Sequence, residues 1–281
     1  MMKGRNTIIM QLNIHQWTGI KIDRRATNTV NKEFEARSSG NFFKSLVSKK
    51  MIDIINKKAS EIRQAHNKHS LPFMDNGARI VPVSAYFEYI AIINELKREF
   101  NDLADTFCSK YDEMLNDAKN RLGHLYRAKD YPAKDVIREK FSIVLTPLPF
   151  PESSDLRMEL EDEEFATIKA EFEEQMDSTI GKAEKSLWDR LDKDVIAFMN
   201  TMEDGSRIYD TTIHKLGPLC ELVPTLNFTG MEGVQEVCDE IKRNLTNHSP
   251  DEIRKDGNLR AELKGKSKLI LDKITRNRYG V

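Results

Sequence analysis

The sequence predicts a mainly α protein built around a long antiparallel helical hairpin, a coiled-coil-like arm. A small strand-containing N-terminal segment, a strand-like tip and a helical base complete the expected fold. Three observations carry this reading. Two apolar stripes with helical period each extend over ~40 residues, or ~60 Å at 1.5 Å per residue. A proline-rich extended stretch separates them. The composition, 39% hydrophobic and 32% charged with a mean hydropathy of −0.56, suits long helices with much exposed surface.

Within 8–30, Met10, Leu12 and Ile14 alternate with Gln11, Asn13 and His15, which reads as a strand with one buried side. Trp17 follows as an anchor. With Trp188, which sits beside the second stripe, it forms a pair of candidate partner-interface aromatics. Over 41–66, Phe43, Leu46, Val47, Ile54, Ile55 and Ile62 recur at helical spacing with lysines opposite, predicting one helix. Two prolines and Asn76-Gly77 then predict a loop or hairpin over 70–82.

Ser84 is placed to cap the next helix, expected over 84–127. From Leu103 its stripe runs through Phe107, Tyr111, Met114, Ala118, Leu122 and Leu125, a period near 3.67 that predicts a nearly straight or slightly right-handed coil. Over 141–151, Ile143, Leu145 and Leu148 alternate among three prolines, which limits the stretch to an edge strand or extended tip. The second long helix is expected over 162–202, on Phe165, Ile168, Phe172, Met176, Ile180, Ala183, Leu187, Leu191, Val195, Phe198 and Met202. Its period is near 3.75, again far from a heptad. Val234, Val237, Cys238, Ile241 and Leu245 predict a shorter helix, and Ser249-Pro250-Asp251-Glu252 is a capping box that opens another. A basic helix over 259–274 closes the pattern. The expected divisions are an N-terminal base over 1–82, the hairpin over 83–205 with its tip at 141–151, and a C-terminal base over 206–281.

The net charge of −1 conceals a strong asymmetry. Residues 1–70 hold 14 Lys/Arg against 5 Asp/Glu, residues 152–205 hold 6 against 17, and residues 254–281 hold 9 against 3. Basic ends invite nucleic acid or the chain's own acidic middle, in the same copy or a neighbouring one. The nucleic-acid-binding candidates are Lys21, Arg24, Arg25, Lys44, Lys49, Lys50, Lys57 and Lys58 near one end, and Lys264, Lys266, Lys268 and Arg276 near the other. No apolar run reaches the ~20 residues of a membrane span, and no cleavage site follows the short apolar stretch at Ile8, so neither a membrane nor a signal peptide is expected. Three cysteines without metal-like spacing point to a reducing cytoplasm.

Nucleotide-binding glycine loops, nucleophile elbows, His-Glu-x-x-His and paired Cys-x-x-Cys motifs are all missing from the sequence, so no catalytic residue, cofactor or metal is expected. His66-x-x-His69 is half a metal site with only Asp75 nearby, and reads first as a solvated helix end. His214 and Cys220 are separated by a helix-breaking Gly217-Pro218. The acids Glu159, Glu161, Asp162, Glu163 and Glu164 read as favourable charge at a helix N-terminus before they read as paired carboxylates.

The run Trp17-Thr18-Gly19-Ile20-Lys21-Ile22-Asp23 resembles the opening signature of a family of uncharacterised phage and mobile-element proteins. Ser48-Lys49-Lys50, Leu71-Pro72-Phe73 before Gly77 and Pro82, Phe100 with Phe107 and Tyr111-Asp112, and Phe141 leading to Leu148-Pro149 are similar too. These motifs span roughly the first two thirds of the chain, and each is loose on its own. The resemblance implies a phage-encoded accessory of DNA metabolism in the cytoplasm of an infected bacterial host, often encoded near a MoxR-type ATPase and a von Willebrand A-like protein. It carries no catalytic residues.

Three function classes follow. The first is a non-enzymatic accessory that binds nucleic acid or a DNA-processing complex. The alternative is an oligomeric interaction factor whose arm engages a protein partner, an ATPase or a host defence protein, with head-to-tail homo-oligomers favoured by the charge split. The third, with least in its favour, is a metal-dependent nuclease using the acidic cluster.

Overall fold

The computed structural model describes residues 6–74, 77–156, 162–203 and 208–279, and the fold is mainly helical. In chain order come β1 (Thr7–His15), β2 (Ile20–Ile22), α1 (Arg24–Glu33), β3 (Phe43–Ser45), α2 (Lys49–Lys68), β4 (Leu71–Pro72), β5 (Ala78–Pro82), α3 (Val83–Ser109) and α4 (Tyr111–Leu122). They are followed by α5 (Lys134–Glu139), β6 (Ser142–Leu148), α6 (Asp162–Thr201), α7 (Asp210–His214), α8 (Leu216–Leu226), α9 (Val234–Leu245), α10 (Pro250–Lys255) and α11 (Gly257–Tyr279). Two compact units are assembled from separated stretches. The first comprises Met1–Gln11, Asn67–Ile90 and Thr146–Val281, and the second Leu12–His66 and Ala91–Leu145.

One sheet has the order β4-β5-β1-β6. β1 runs antiparallel to β5, with Ile9 opposite Ile80, and β4 runs antiparallel to β5, with Leu71 opposite Ile80. The turn-rich stretch at 70–82 is therefore a hairpin, whose Asp75 and Asn76 lie outside the described residues. β6 is an edge strand of this sheet, the position in which Pro147, lacking an N–H, breaks no ladder.

The first unit is organised by α6. This 40-residue helix fits the expected arm. Its stripe is half-buried at Phe165, Ile168 and Phe172, and buried at Met176, Ile180, Ala183, Leu187, Leu191, Val195, Phe198 and Met202. The helices packed on it include α11 and α8. Lys264 of α11 reaches Glu203 just past the end of α6, and Arg278 reaches Asp189, so α11 runs antiparallel to α6. α9 buries the expected Val234, Val237, Cys238, Ile241 and Leu245, and Ser249 and Glu252 form the expected capping box of α10. Gly233 precedes α9 at φ +79°, where a Cβ would lie 2.7 Å from the Asn277 side chain. Arg190 is largely desolvated and donates to the Lys68, Asn67 and Ser70 carbonyls at 2.7, 3.0 and 2.6 Å. Arg79 donates to Ser70 Oγ and to the Asn67 and Ser70 carbonyls. Burial, and then the neighbouring Arg79, push the Arg190 pKa down to about 10.

The second unit holds α3 from residue 91 onward, together with α4. The helix expected over 84–127 is broken at Lys110, and its stripe continues across the break through buried Phe107, Tyr111 and Ala118. Trp17 packs edge-on against Phe107 and Tyr111, with centroids at 6.0 and 6.2 Å, and Phe141 packs on Phe107 at 5.4 Å. α2 buries Ile52, Ile55, Ala59 and Ile62.

Two local expectations are corrected. The helix expected from residue 41 begins only at Lys49, because Phe43, Lys44 and Ser45 form a ladder with β2 instead. Phe43 points outward there and Ile54 of α2 is also exposed, so the apparent helical spacing joined residues of two different elements. Ser84 does not cap α3, which starts at Val83; its hydroxyl donates to the Thr225 carbonyl at 2.6 Å.

The gradient of burial along α6 has a measurable consequence. Leu191→Ala should cost about 2–5 kcal/mol, as large-to-small changes in a closed core do. Ile168→Ala, on the same stripe but half-exposed, should cost well under half of that in the same urea unfolding series.

Candidate functional site

In the second unit, β2 and β3 pair with Lys21 opposite Lys44 and Ile22 opposite Phe43. Alternate residues of a strand point to opposite faces, and this ribbon is inside out. Ile20, Ile22 and Phe43 are 48%, 43% and 60% exposed, while the Lys44 side chain is 1% exposed. The expectation that Lys44 lies on a solvated, phosphate-facing helix is therefore overturned. Its ammonium donates to Asp23 Oδ2 at 2.8 Å, to Asp130 Oδ2 at 2.7 Å and to the Leu125 carbonyl at 2.7 Å. All three of its N–H groups are satisfied.

Each partner is held by the local chain. Asp23 is the N-cap of α1, and its Oδ1 accepts from the backbone N–H groups of Arg25 and Ala26 at 3.1 and 3.2 Å. One carboxylate thus both starts a helix and pairs with Lys44. Gly19, at φ +63°, makes the turn before β2. Its carbonyl accepts from Leu46 N at 2.7 Å, and a Cβ there would crowd Val47 at 3.1 Å. Asp130 closes a short 3-10 turn, Ala128–Asp130, and also accepts from Lys21 at 2.9 Å. Arg121 donates to the Ser45 carbonyl and Tyr131 to the Leu46 carbonyl, both at 2.9 Å. These bonds tie the end of α4 and the end of the 123–131 loop to residues 45 and 46 at the end of β3.

Electrostatics follow the geometry. The hydrogen bond from Lys44 leads the forces that lower the Asp23 pKa from its usual 3.8 to about 2. For Asp130, burial acts upward, but the Lys21 and Lys44 bonds outweigh it and the pKa falls. For Lys44, burial acts downward and the bonds to Asp130 and Asp23 outweigh it, so its pKa rises. The four charges cancel, and both carboxylates are fully engaged.

Above them opens a cleft of about 1000 Å³, whose lining includes Ile20, Ile22, Phe43, Arg24, Arg127 and Lys129. Among the described residues, Arg24, Arg127 and Lys129 make no ion pair, so the rim carries excess positive charge. The structure thus brings Lys21, Arg24 and Lys44 of the candidate set together. Arg25 lies beside the same loop and donates to the His124 carbonyl at 3.4 Å. Asp23, Asp130, Arg127, Lys129 and Phe43 were absent from the candidate set. Asp23 ends the Trp-Thr-Gly-Ile-Lys-Ile-Asp run, and that was the only available signal for any of them.

The other candidates are dispersed. Lys49, Lys50 and Lys57 are exposed on α2 without ion pairs among the described residues, whereas Lys58 bridges Glu61 and Glu99. On α11, Lys264 pairs with Glu203 and Lys266 with Glu262; Lys268 and Arg276 are exposed. Trp17 sits half-buried in the aromatic cluster, and Trp188 is buried in the core of the first unit. His66 and His69 are both buried rather than solvated, and burial lowers the His69 pKa. Among the described residues, no three His, Cys, Asp or Glu side chains are grouped to hold a metal ion. Asp75, Glu159 and Glu161 fall outside the described residues. No described helix is long and apolar enough to cross a membrane.

No family model matches the chain, no curated protein is significantly similar to it, and no solved structure matches its fold.

Lys44→Ala leaves two desolvated carboxylates without their shared cation and should cost about 3–5 kcal/mol in urea unfolding. Acid should act on the same cluster. The folded-state pKa of Asp23 is depressed, so its contribution is complete above pH ~4 and is lost as the pH falls toward 2. Asp23→Asn should flatten the fall of the urea midpoint between pH 5 and pH 2.5.

Proposed function

We propose that the chain is an accessory protein that binds nucleic acid, with the cleft of the second unit as the contact surface. The carrying observation is the division of charge. Asp23 and Asp130 are neutralised from within by Lys44 and Lys21, which leaves Arg24, Arg127 and Lys129 at the rim without an ion pair among the described residues, Arg127 within electrostatic reach of Asp23. Cations without carboxylate partners attract phosphates and release the counterions condensed around them. Lys49, Lys50 and Lys57, exposed in the same unit, add to the field. The resemblance to phage and mobile-element proteins supports the same reading, because Lys21 and Asp23 of that motif line this cleft.

A second reading, a protein-docking arm, is favoured by the start of α6. There exposed Glu163, Glu164, Glu171, Glu173 and Glu174 flank half-buried Phe165 and Ile168.

Fluorescence anisotropy with labelled oligonucleotides over a salt series tests the first reading. Binding should weaken linearly in log salt. The Arg127→Glu, Lys129→Glu double variant should weaken it at every salt concentration and reduce the slope by roughly 2 on a duplex probe. Absence of binding at low salt, or a double variant that binds like the parent, would sink the reading and leave the α6 arm as the surface to pursue.

A further inference from the structure

We infer that the cleft takes a single strand rather than a duplex, with a base stacked on Phe43; this rests on the nucleic-acid reading above. The inside-out ribbon carries the inference. The pairing of Lys44 with Asp23 and Asp130 fixes which face of β3 points inward, and Phe43, its neighbour along the strand, must then point out. Nothing in that constraint calls for an aromatic residue, and a threonine or lysine would suit a solvated strand position at lower cost. The position instead holds a phenylalanine that is 60% exposed, and its cross-strand neighbour Ile22 is 43% exposed. Ile20 extends the same outward face.

This apolar face and the unpaired cations Arg24, Arg127 and Lys129 line one cleft. A duplex presents phosphates to such a surface and keeps its base faces inside the stack, so Phe43 would gain nothing from it. A single strand presents both phosphates and unstacked base faces. The combination of a basic rim with an outward aromatic ring is therefore matched to a single strand, and stacking is tolerant of sequence because every base has a π face. The chemistry is shared by DNA and RNA, so both are included as probes.

The experiment compares a 20-nucleotide single strand, as DNA and as RNA, with a duplex of the same length, using the whole chain and its Phe43→Ala and Phe43→Trp variants. The single strand should bind at least tenfold more tightly than the duplex. Phe43→Ala should weaken strand binding about tenfold, the size of one stacked base, without changing the salt slope or duplex binding. Phe43→Trp should restore it. An exposed position tolerates both changes, and unchanged circular dichroism and melting would verify that the fold is kept. Equal affinity for strand and duplex, or a Phe43→Ala protein that binds the strand like the parent, would overturn the inference while leaving the nucleic-acid reading intact. Failure to bind either probe at low salt would overturn both. A stronger effect of Phe43→Ala on molecular mass in light scattering than on strand binding would overturn the inference in favour of a protein contact.

Discussion

Removing an ammonium group from water costs several kcal/mol even after the protein relaxes around it. The second unit depends on how that cost is offset at Lys44. Its three N–H groups meet two carboxylate oxygens and a carbonyl oxygen, contributed by residues 23, 130 and 125. Because the acceptors come from two well-separated parts of the chain, residue 23 and the 123–131 loop, satisfying one cation on β3 fixes three segments at once. It sets the facing of β3, seats the 123–131 loop and holds the N-cap of α1 in place. The same arrangement decides the character of the surface, since it occupies the acids and leaves the surrounding bases without an ion pair among the described residues. The apolar outer face of the ribbon and the positive rim of the cleft are thus two results of one desolvated charge.

The first unit buries cations differently. Arg79 and Arg190 are desolvated over a set of neutral oxygens, the carbonyls of Asn67, Lys68 and Ser70 and the hydroxyl of Ser70. The carbonyls ending α2 have no intrahelical partner and carry the negative end of the helix dipole, so two guanidinium forks satisfy them without any carboxylate. The remainder of this unit is apolar packing along α6, where the 3.75 period keeps one stripe against neighbours that include α11 and α8.

The elements legible in the sequence are those governed by local chemistry. The α9 stripe, the Ser249 capping box, the β4–β5 hairpin and the proline-limited edge strand β6 each depend on residues within a few positions of one another. The elements that were not legible depend on distant partners. Strands of three residues such as β2 and β3 hold no periodic signal, and Phe43, Leu46 and Val47 fit a helix as well as they fit an extended segment. Lys44 carries no mark of burial, because its carboxylates lie 21 and 86 residues away in the chain. Helical stripes showed that α6 would be covered and paired it with the helix expected over 84–127; the helices packed on it include α11 and α8. Charge totals located a basic end but could not separate Lys58, already paired with Glu61 and Glu99, from Lys49, Lys50 and Lys57, which make no ion pair among the described residues, and they gave no sign of Arg127 and Lys129, which lie outside that end.

The two units differ in when they can be completed on the ribosome. The second unit draws its last residues from Ala91–Leu145, whereas the first takes its third and largest stretch from Thr146–Val281. The first unit's core cluster lies mostly between residues 176 and 274. Its early contributors, such as Ile9, Leu71 and Ile80, therefore emerge long before most of the apolar surface that will cover them. Synthesis from the N-terminus delivers every residue that lines the second unit's cleft while α6 is still untranslated. The unit that contains β1 is thus the last to become whole, and β1 and the β4–β5 hairpin must wait in the nascent chain with much of their apolar surface uncovered.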